Sequence, residues 1–215
     1  MEKLNVSYLG TIDKKSSLQE ISYTLDKFDR NLIEVIPWPS FTYKPHASFA
    51  IAYAANCFFL KFFVIEKAVR AIYRISNEPV SEDSCVEFFI SFDSEEEYYN
   101  LEFNCIGTCL MGYGKYKTGR ALIPEGPIRH IRRMAIIKSC HDGETPLINW
   151  ELTLVIPSEI FIHHQIHSLK NHHCRANFFK CGDELPERHF LAWKKITASS
   201  PDFHLPQFFG SIHFI

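Results

Sequence analysis

Residues 82–104, EDSCVEFFISFDSEEEYYNLEFN, alternate apolar and polar side chains along two arms separated by an acidic run. On the first arm Val86, Phe88, Ile90 and Phe92 alternate with Cys85, Glu87, Phe89 and Ser91. On the second, Tyr99, Leu101 and Phe103 alternate with Tyr98, Asn100, Glu102 and Asn104. A period of two over this length is the pattern of a half-buried antiparallel strand pair. With the turn in Ser94 to Glu96, Phe92 pairs with Glu97, and the oily sides of the two arms coincide. Ile90 then faces Tyr99, Phe88 faces Leu101 and Val86 faces Phe103, while Glu87 lies opposite Glu102 and Cys85 opposite Asn104. A slip of one residue would put an apolar row into water, so the register is well specified. The pattern predicts a hairpin with one face in a core and the other presenting carboxylates, amides and aromatics.

The rest of the chain extends that reading. With the hairpin arms included, strands are expected at 32–36, 48–54, 57–65, 85–92, 98–105, 108–113, 131–137, 149–156, 174–180, 189–193 and 210–214. Turn clusters punctuate them at Asn77-Glu78-Pro79, Asp142-Gly143-Glu144, Cys181-Gly182-Asp183 and Ser199-Ser200-Pro201. One helix is signalled at 16–29, where Ser17 and Glu20 have capping-box spacing and Ile21, Leu25 and Phe28 share a face. A short second helix is expected at 157–165, opened by Pro157-Ser158-Glu159. Many short strands with few helices imply an all-β protein, an antiparallel β-sandwich with one or two short helices. With 215 residues, 19 of them Phe, the chain has the supply of large side chains for such a core and reads as a single domain over 1–215.

The formal charge of −2 gives no drive toward nucleic acid or an anionic membrane, and no apolar run is long enough to span a bilayer. Seven cysteines, an odd and scattered set, read as mostly free thiols. That favours a cytoplasmic setting, although an exported parent chain trimmed of its leader would look the same.

Several motifs dissolve on inspection. Gly112-Tyr113-Gly114-Lys115 lacks the spacing of a phosphate loop and reads as a tight turn. His163 and His167 are four apart, as zinc ligands on a helix would be, but the plainer reading of FIHHQIHSLKNHHC is a solvated segment running from helix to loop. Cys105 and Cys109 lie too far apart along extended chain to grip one ion. The basic run Arg129–Arg133, folded as a strand, splits its charges between two faces. Glu82, Asp83 and Glu87 are carboxylates near one another, yet alternation separates them, and no nucleophile elbow appears. The chain reads as non-enzymatic.

EDSCVEFFISFD, YYNLEFNCIG, RANFFKCGDELPERHFLAW and PDFHLPQFFGSIHF, in that order, resemble segments of the family 9 carbohydrate-binding modules. The likeness is to the diverged branch found beside xylan- and cellulose-degrading enzymes, and it runs from about Tyr43 to the C-terminus. It implies a β-sandwich related to the sugar- and haem-binding DOMON group, binding of oligo- or polysaccharide without cleavage, and a glycoside hydrolase catalytic domain as partner. Sugar-binding members clamp a pyranose between two aromatic rings, with charged and amide groups reaching its hydroxyls. Carried over by position, one ring becomes Ser81 and the other Phe203, which a turn at Pro201-Asp202 is expected to expose. Glu87 and Asn104 are kept, and Glu102 stands where an arginine is expected. The implied carbohydrate-binding set is Glu87, Glu102, Asn104, Arg188, Trp193 and Phe203, with Asn100 on the same polar face. Glu87 opposite Glu102 sets like charges across a strand pair, which calls for a cation: Arg175, Arg188 or a calcium ion. The alternative within the same architecture is a haem-binding domain using Met134 and a histidine, or a structural domain whose site has decayed.

Overall fold

The computed structural model describes residues 3–92 and 96–215, so the tip of the expected hairpin turn lies outside the described residues. The chain runs through β1 (Leu4–Tyr8), helix α1 (Leu18–Leu25), β2 (Asn31–Leu32), β3 (His46–Ala54) and β4 (Cys57–Glu66). The central hairpin follows as β5 (Cys85–Ser91) and β6 (Tyr98–Asn104), then β7 (Cys109–Gly114), β8 (Ala121–Leu122) and helix α2 (Glu125–Ile128). Last come β9 (Arg132–Asp142), β10 (Thr145–Pro157), β11 (His173–Gly182), β12 (His189–Ala192) and β13 (Gly210–Phe214).

These strands form two layers joined at a seam. Sheet A runs β8-β7-β6-β5-β11-β13-β1, with β12 continuing along β11 past β13. Sheet B runs β1-β3-β4-β10-β9, with β2 on β3. β1 belongs to both: Leu4–Val6 pair parallel with Ile212–Phe214, and Ser7–Tyr8 pair parallel with Ala52–Tyr53. Every other ladder is antiparallel, so the sandwich expected from the sequence is present, with a parallel seam the pattern did not announce. No described helix is long and apolar enough to cross a membrane.

The core lies between the layers. Phe178 of β11 is sandwiched, stacking on Phe49 of β3 at 3.6 Å and on Phe88 of β5 at 4.9 Å. Each such aromatic pair contributes about 0.5–1.5 kcal/mol beyond the area it buries. β3 and β4 are apolar on both faces because α1 packs on the outer side of sheet B, over Ala50, Ala52 and Phe59. Ser17 caps that helix by accepting from the Glu20 amide at 3.1 Å, as the capping-box spacing predicts. One ion pair crosses the core: Lys180 Nζ lies 2.9 Å from Glu66 Oε2, both fully buried, and Trp150 donates to Glu66 Oε1 at 2.6 Å.

Three expectations change. The strand at 32–36 is instead a crossing: after β2, Val35 bridges to Ala192 of sheet A. The helix at 157–165 reduces to one 3-10 turn, Ser158–Ile160. Ile160 and Phe161 are both fully buried, and the chain beyond them continues as turns and loop. Finally, Gly112–Gly114 end a strand and are not a tight turn.

Candidate functional site

The hairpin register is the one the alternation dictates, from Cys85 opposite Asn104 through Glu87 opposite Glu102 to Ile90 opposite Tyr99. Its burial is not. All residues of β5 and β6 are buried, on both faces. The outer face, expected to meet solvent, is roofed by a second apolar layer in which Trp38, Phe190, Phe203 and Phe209 cover Cys85, Phe89, Tyr98 and Phe179. Phe203 lies flat on Phe179 at 4.1 Å and is 8% exposed, which corrects its expected display on a turn.

The roof leaves a hollow of about 170 Å³. Its floor is Glu87, Glu102 and Cys181; its walls are Ser81, Asp183, Arg188 and Phe190 on one side, and Lys117, Pro201, Asp202, Phe203 and His204 on the other. The Arg188 side chain is 51% exposed, with its guanidinium 5.1 Å from the Phe190 ring centroid and 3.7 Å from Asp183 Oδ2.

The polar floor is tightly organised. Asn100 donates to Glu102 Oε1 at 2.9 Å and accepts from Arg120 Nε at 2.8 Å. Arg120 also donates to the carbonyls of Tyr98, Gly114 and Tyr116 and lies over the Tyr98 ring. This reach explains Gly112, opposite Asn100 on β7: a Cβ there would sit 2.8 Å from Asn100 Oδ1. Cys181 Sγ donates to Glu87 Oε1 at 3.1 Å. Burial pushes both carboxyls up, Glu87 well above the usual range and Glu102 to about 7. Repulsion between the opposed glutamates is therefore relieved by protons. Of the two arginines offered for that role, Arg175 donates to the carbonyls of Gln207 and Phe209 instead, and Arg188 reaches Asp183. His204 meets Tyr98 Oη at 2.9 Å and is held neutral, its pKa lowered to about 3 by burial and by Arg120 and Lys117.

Of the residues singled out from the sequence, the hollow brings together Ser81, Glu87, Glu102, Arg188 and Phe203. Asn104 does not line it. Its amide donates to Tyr73 O and Asp83 Oδ2 and accepts from the Thr108 amide, tying down the turn that carries Ser81. Trp193 does not line it either, because it packs edge-on against Phe49 and Phe178 at the inner core. His163 and His164 sit in a loop against Tyr99 and Tyr113, not on a helix. Residues that sequence reasoning did not select, Lys117, Arg120, Cys181, Asp183 and His204, reach the site from loops or from an apolar strand. The C-G-D turn at 181–183 was the one visible signal.

A larger hollow of about 380 Å³ lies outside sheet B, between Arg30, Lys44, Ser48, Phe63, Asn149 and Glu151. Its charges are matched locally: Lys44 with Glu34, Glu151 with Lys61, and Arg30 over the Phe63 ring at 3.8 Å. Size alone gives it no chemistry.

The family model for carbohydrate-binding family 9 matches residues 18–214. The chain belongs to that family. A candidate carbohydrate-binding protein from Bacteroides uniformis ATCC 8492 is 32% identical, with a TM-score of 0.90, and the match covers 100% of this chain and 99% of that one. Two structures of a family 9 module from Caldicellulosiruptor kristjanssonii share the fold at 13% identity. The one in complex with glucose has a TM-score of 0.57 over 100% and 96% of the two chains. The one in complex with cellotriose has 0.54 over 99% and 93%. No curated protein matches the chain.

Calcium fits the floor poorly. It wants six or more oxygens, whereas Glu87 is flanked by two thiols and Glu102 is engaged by Asn100.

Proposed function

We propose that this family 9 module binds the end of an oligo- or polysaccharide in the hollow over β5, β6 and β11, without catalysis. The observation that carries this reading is the convergence of Glu102, Asp183, Arg188 and Lys117 with the edges of Phe190 and Phe203 around a space of about 170 Å³. Sugar hydroxyls need directional charged partners, and C–H faces need aromatic carbon. The glucose and cellotriose complexes of the Caldicellulosiruptor module favour a cellulose-like ligand, while a xylan-like ligand and a place beside glycan-degrading enzymes rest on the sequence resemblance alone.

The aromatic clamp is weakened here. Ser81 supplies no ring, one face of Phe203 is taken by Phe179, and Arg188 approaches Phe190. Hydrogen bonds therefore carry most of the affinity, and a dissociation constant of about 1 mM, roughly 4 kcal/mol, is expected. Calorimetric titration with cello- and xylo-oligosaccharides tests it. Arg188→Ala should weaken binding about tenfold with the fold intact, since its side chain is half exposed. A flat titration at about 10 mM of every such sugar would overturn the reading.

A further inference from the structure

Two thiols and a carboxyl meet beneath the hollow. Cys85 of β5 and Cys181 of β11 are directly opposite in an antiparallel ladder, so both point to the outer face of sheet A. Glu87, two residues beyond Cys85, points the same way. One ligand atom from each lies within 4.8 Å of the other two, and all three residues are buried. Among the described residues this is the one such group of three.

Paired core cysteines ordinarily act as small hydrophobes. That reading does not account for the glutamate. Taking a carboxyl out of water is costly unless good donors meet it, and a thiol is a weak donor. Among the described residues, the Cys181 thiol is the side chain that hydrogen-bonds to Glu87. Asp183, two residues beyond Cys181, lines the same hollow; its Oδ2 lies 3.7 Å from Arg188 and its Oδ1 is buried with no hydrogen-bond partner, though it stands outside the group of three.

We propose that Cys85, Cys181 and Glu87 hold a borderline-soft divalent cation of the zinc type at the floor of the hollow, with water as fourth ligand. Zinc takes sulfur at about 2.3 Å and carboxylate oxygen at about 2.0–2.2 Å, which places a neighbouring tetrahedral sulfur and oxygen roughly 3.6 Å apart. The 3.1 Å from Cys181 Sγ to Glu87 Oε1 has to open by only about half an ångström to admit the ion. Thiolates select such an ion over calcium or magnesium. Binding releases two thiol protons and, while Glu87 is protonated, its carboxyl proton. The dication with two thiolates and one carboxylate leaves a single negative charge, beside Arg188 and Lys117. Cys181 and Glu87 line the hollow and give the ion its entry, with Cys85 below them. The site does not depend on saccharide binding.

The test is to titrate the reduced, chelator-treated full chain with cobalt(II), zinc and calcium. One equivalent of cobalt should give a thiolate charge-transfer band and intense tetrahedral d–d bands. Zinc should displace these bands and raise the melting temperature, and calcium should do neither. Cys181→Ser should abolish the charge-transfer band, Cys140→Ser on β9 should leave it unchanged, and Glu87→Gln should keep it while weakening affinity at least roughly tenfold. Should Cys181→Ser fail to fold, the wild-type and Glu87→Gln spectra decide alone. Absence of the band in the wild type, its survival in Cys85→Ser/Cys181→Ser, or a Cys85–Cys181 disulfide whose reduction restores no cobalt uptake would each overturn the proposal.

Discussion

On the inner face of the β5–β6 hairpin, Phe88 stacks on Phe178 within a large apolar cluster; on the outer face, Glu87 and Glu102 are also buried but sit among thiols, an amide and a roof of rings. The same two strands thus carry two kinds of burial. The packing around Phe88 is fixed by volume, with the buried Lys180–Glu66 pair and its neighbour His189 as the charged exception on that side. The outer face keeps titratable groups out of water, so its contribution to stability depends on protons and on whatever fills the hollow.

The sharpest way to break this contrast is volume loss inside. Phe88→Ala should cost about 3–5 kcal/mol in urea unfolding at any pH between 5 and 8; a loss that varies with pH would mean the faces are not independent. Gly112→Ala comes next, on the outer side. Its methyl group must displace the Asn100–Arg120 link, costing about 1–3 kcal/mol and shifting Glu102 as well.

Glu102→Gln should act in the opposite direction. The folded-state pKa of Glu102 is raised from 4.5 to about 7, so the wild type is favoured below about pH 4.5 and loses that advantage as pH rises through about 7. The variant should therefore be more stable than wild type at pH 8, by on the order of 1–2 kcal/mol, and equal to it near pH 4.5. Variant and parent must be compared at each pH, because the histidines run counter. His189 and His204 are held at about 3 from 6.5. Their stabilisation is complete above 6.5 and fades as pH falls toward 3. The smallest expected change in stability is Arg188→Ala, within about 0.5 kcal/mol by thermal melting, so that any loss of sugar binding reports on the hollow itself.

How legible this was from residues alone differs between the faces in the same way. The alternation of Val86, Phe88 and Ile90 against Tyr99, Leu101 and Phe103 fixed the register, because a period of two has one solution when a face is buried. Ser17 and Glu20 marked the helix start for the same local reason. Nothing local says what covers the other face. Trp38 and Phe203 fold over it from positions far away in sequence, so the expected open platform became a roofed hollow, and Arg120 reached Asn100 from a loop without periodic signal. Trp193 followed the core because Phe49 and Phe178 offered it ring edges. β1 was missed because LNVSY has only two aliphatic residues, and its parallel partners lie in other parts of the chain.

That first strand has a consequence for biogenesis. Leu4–Val6 can dock only beside Ile212–Phe214, more than 200 positions downstream, while Ser7 and Tyr8 wait on β3. Loop-closure cost makes so distant a pairing late and slow. During synthesis, then, the seam between the layers stays open on this side until Gly210–Phe214 have left the ribosome.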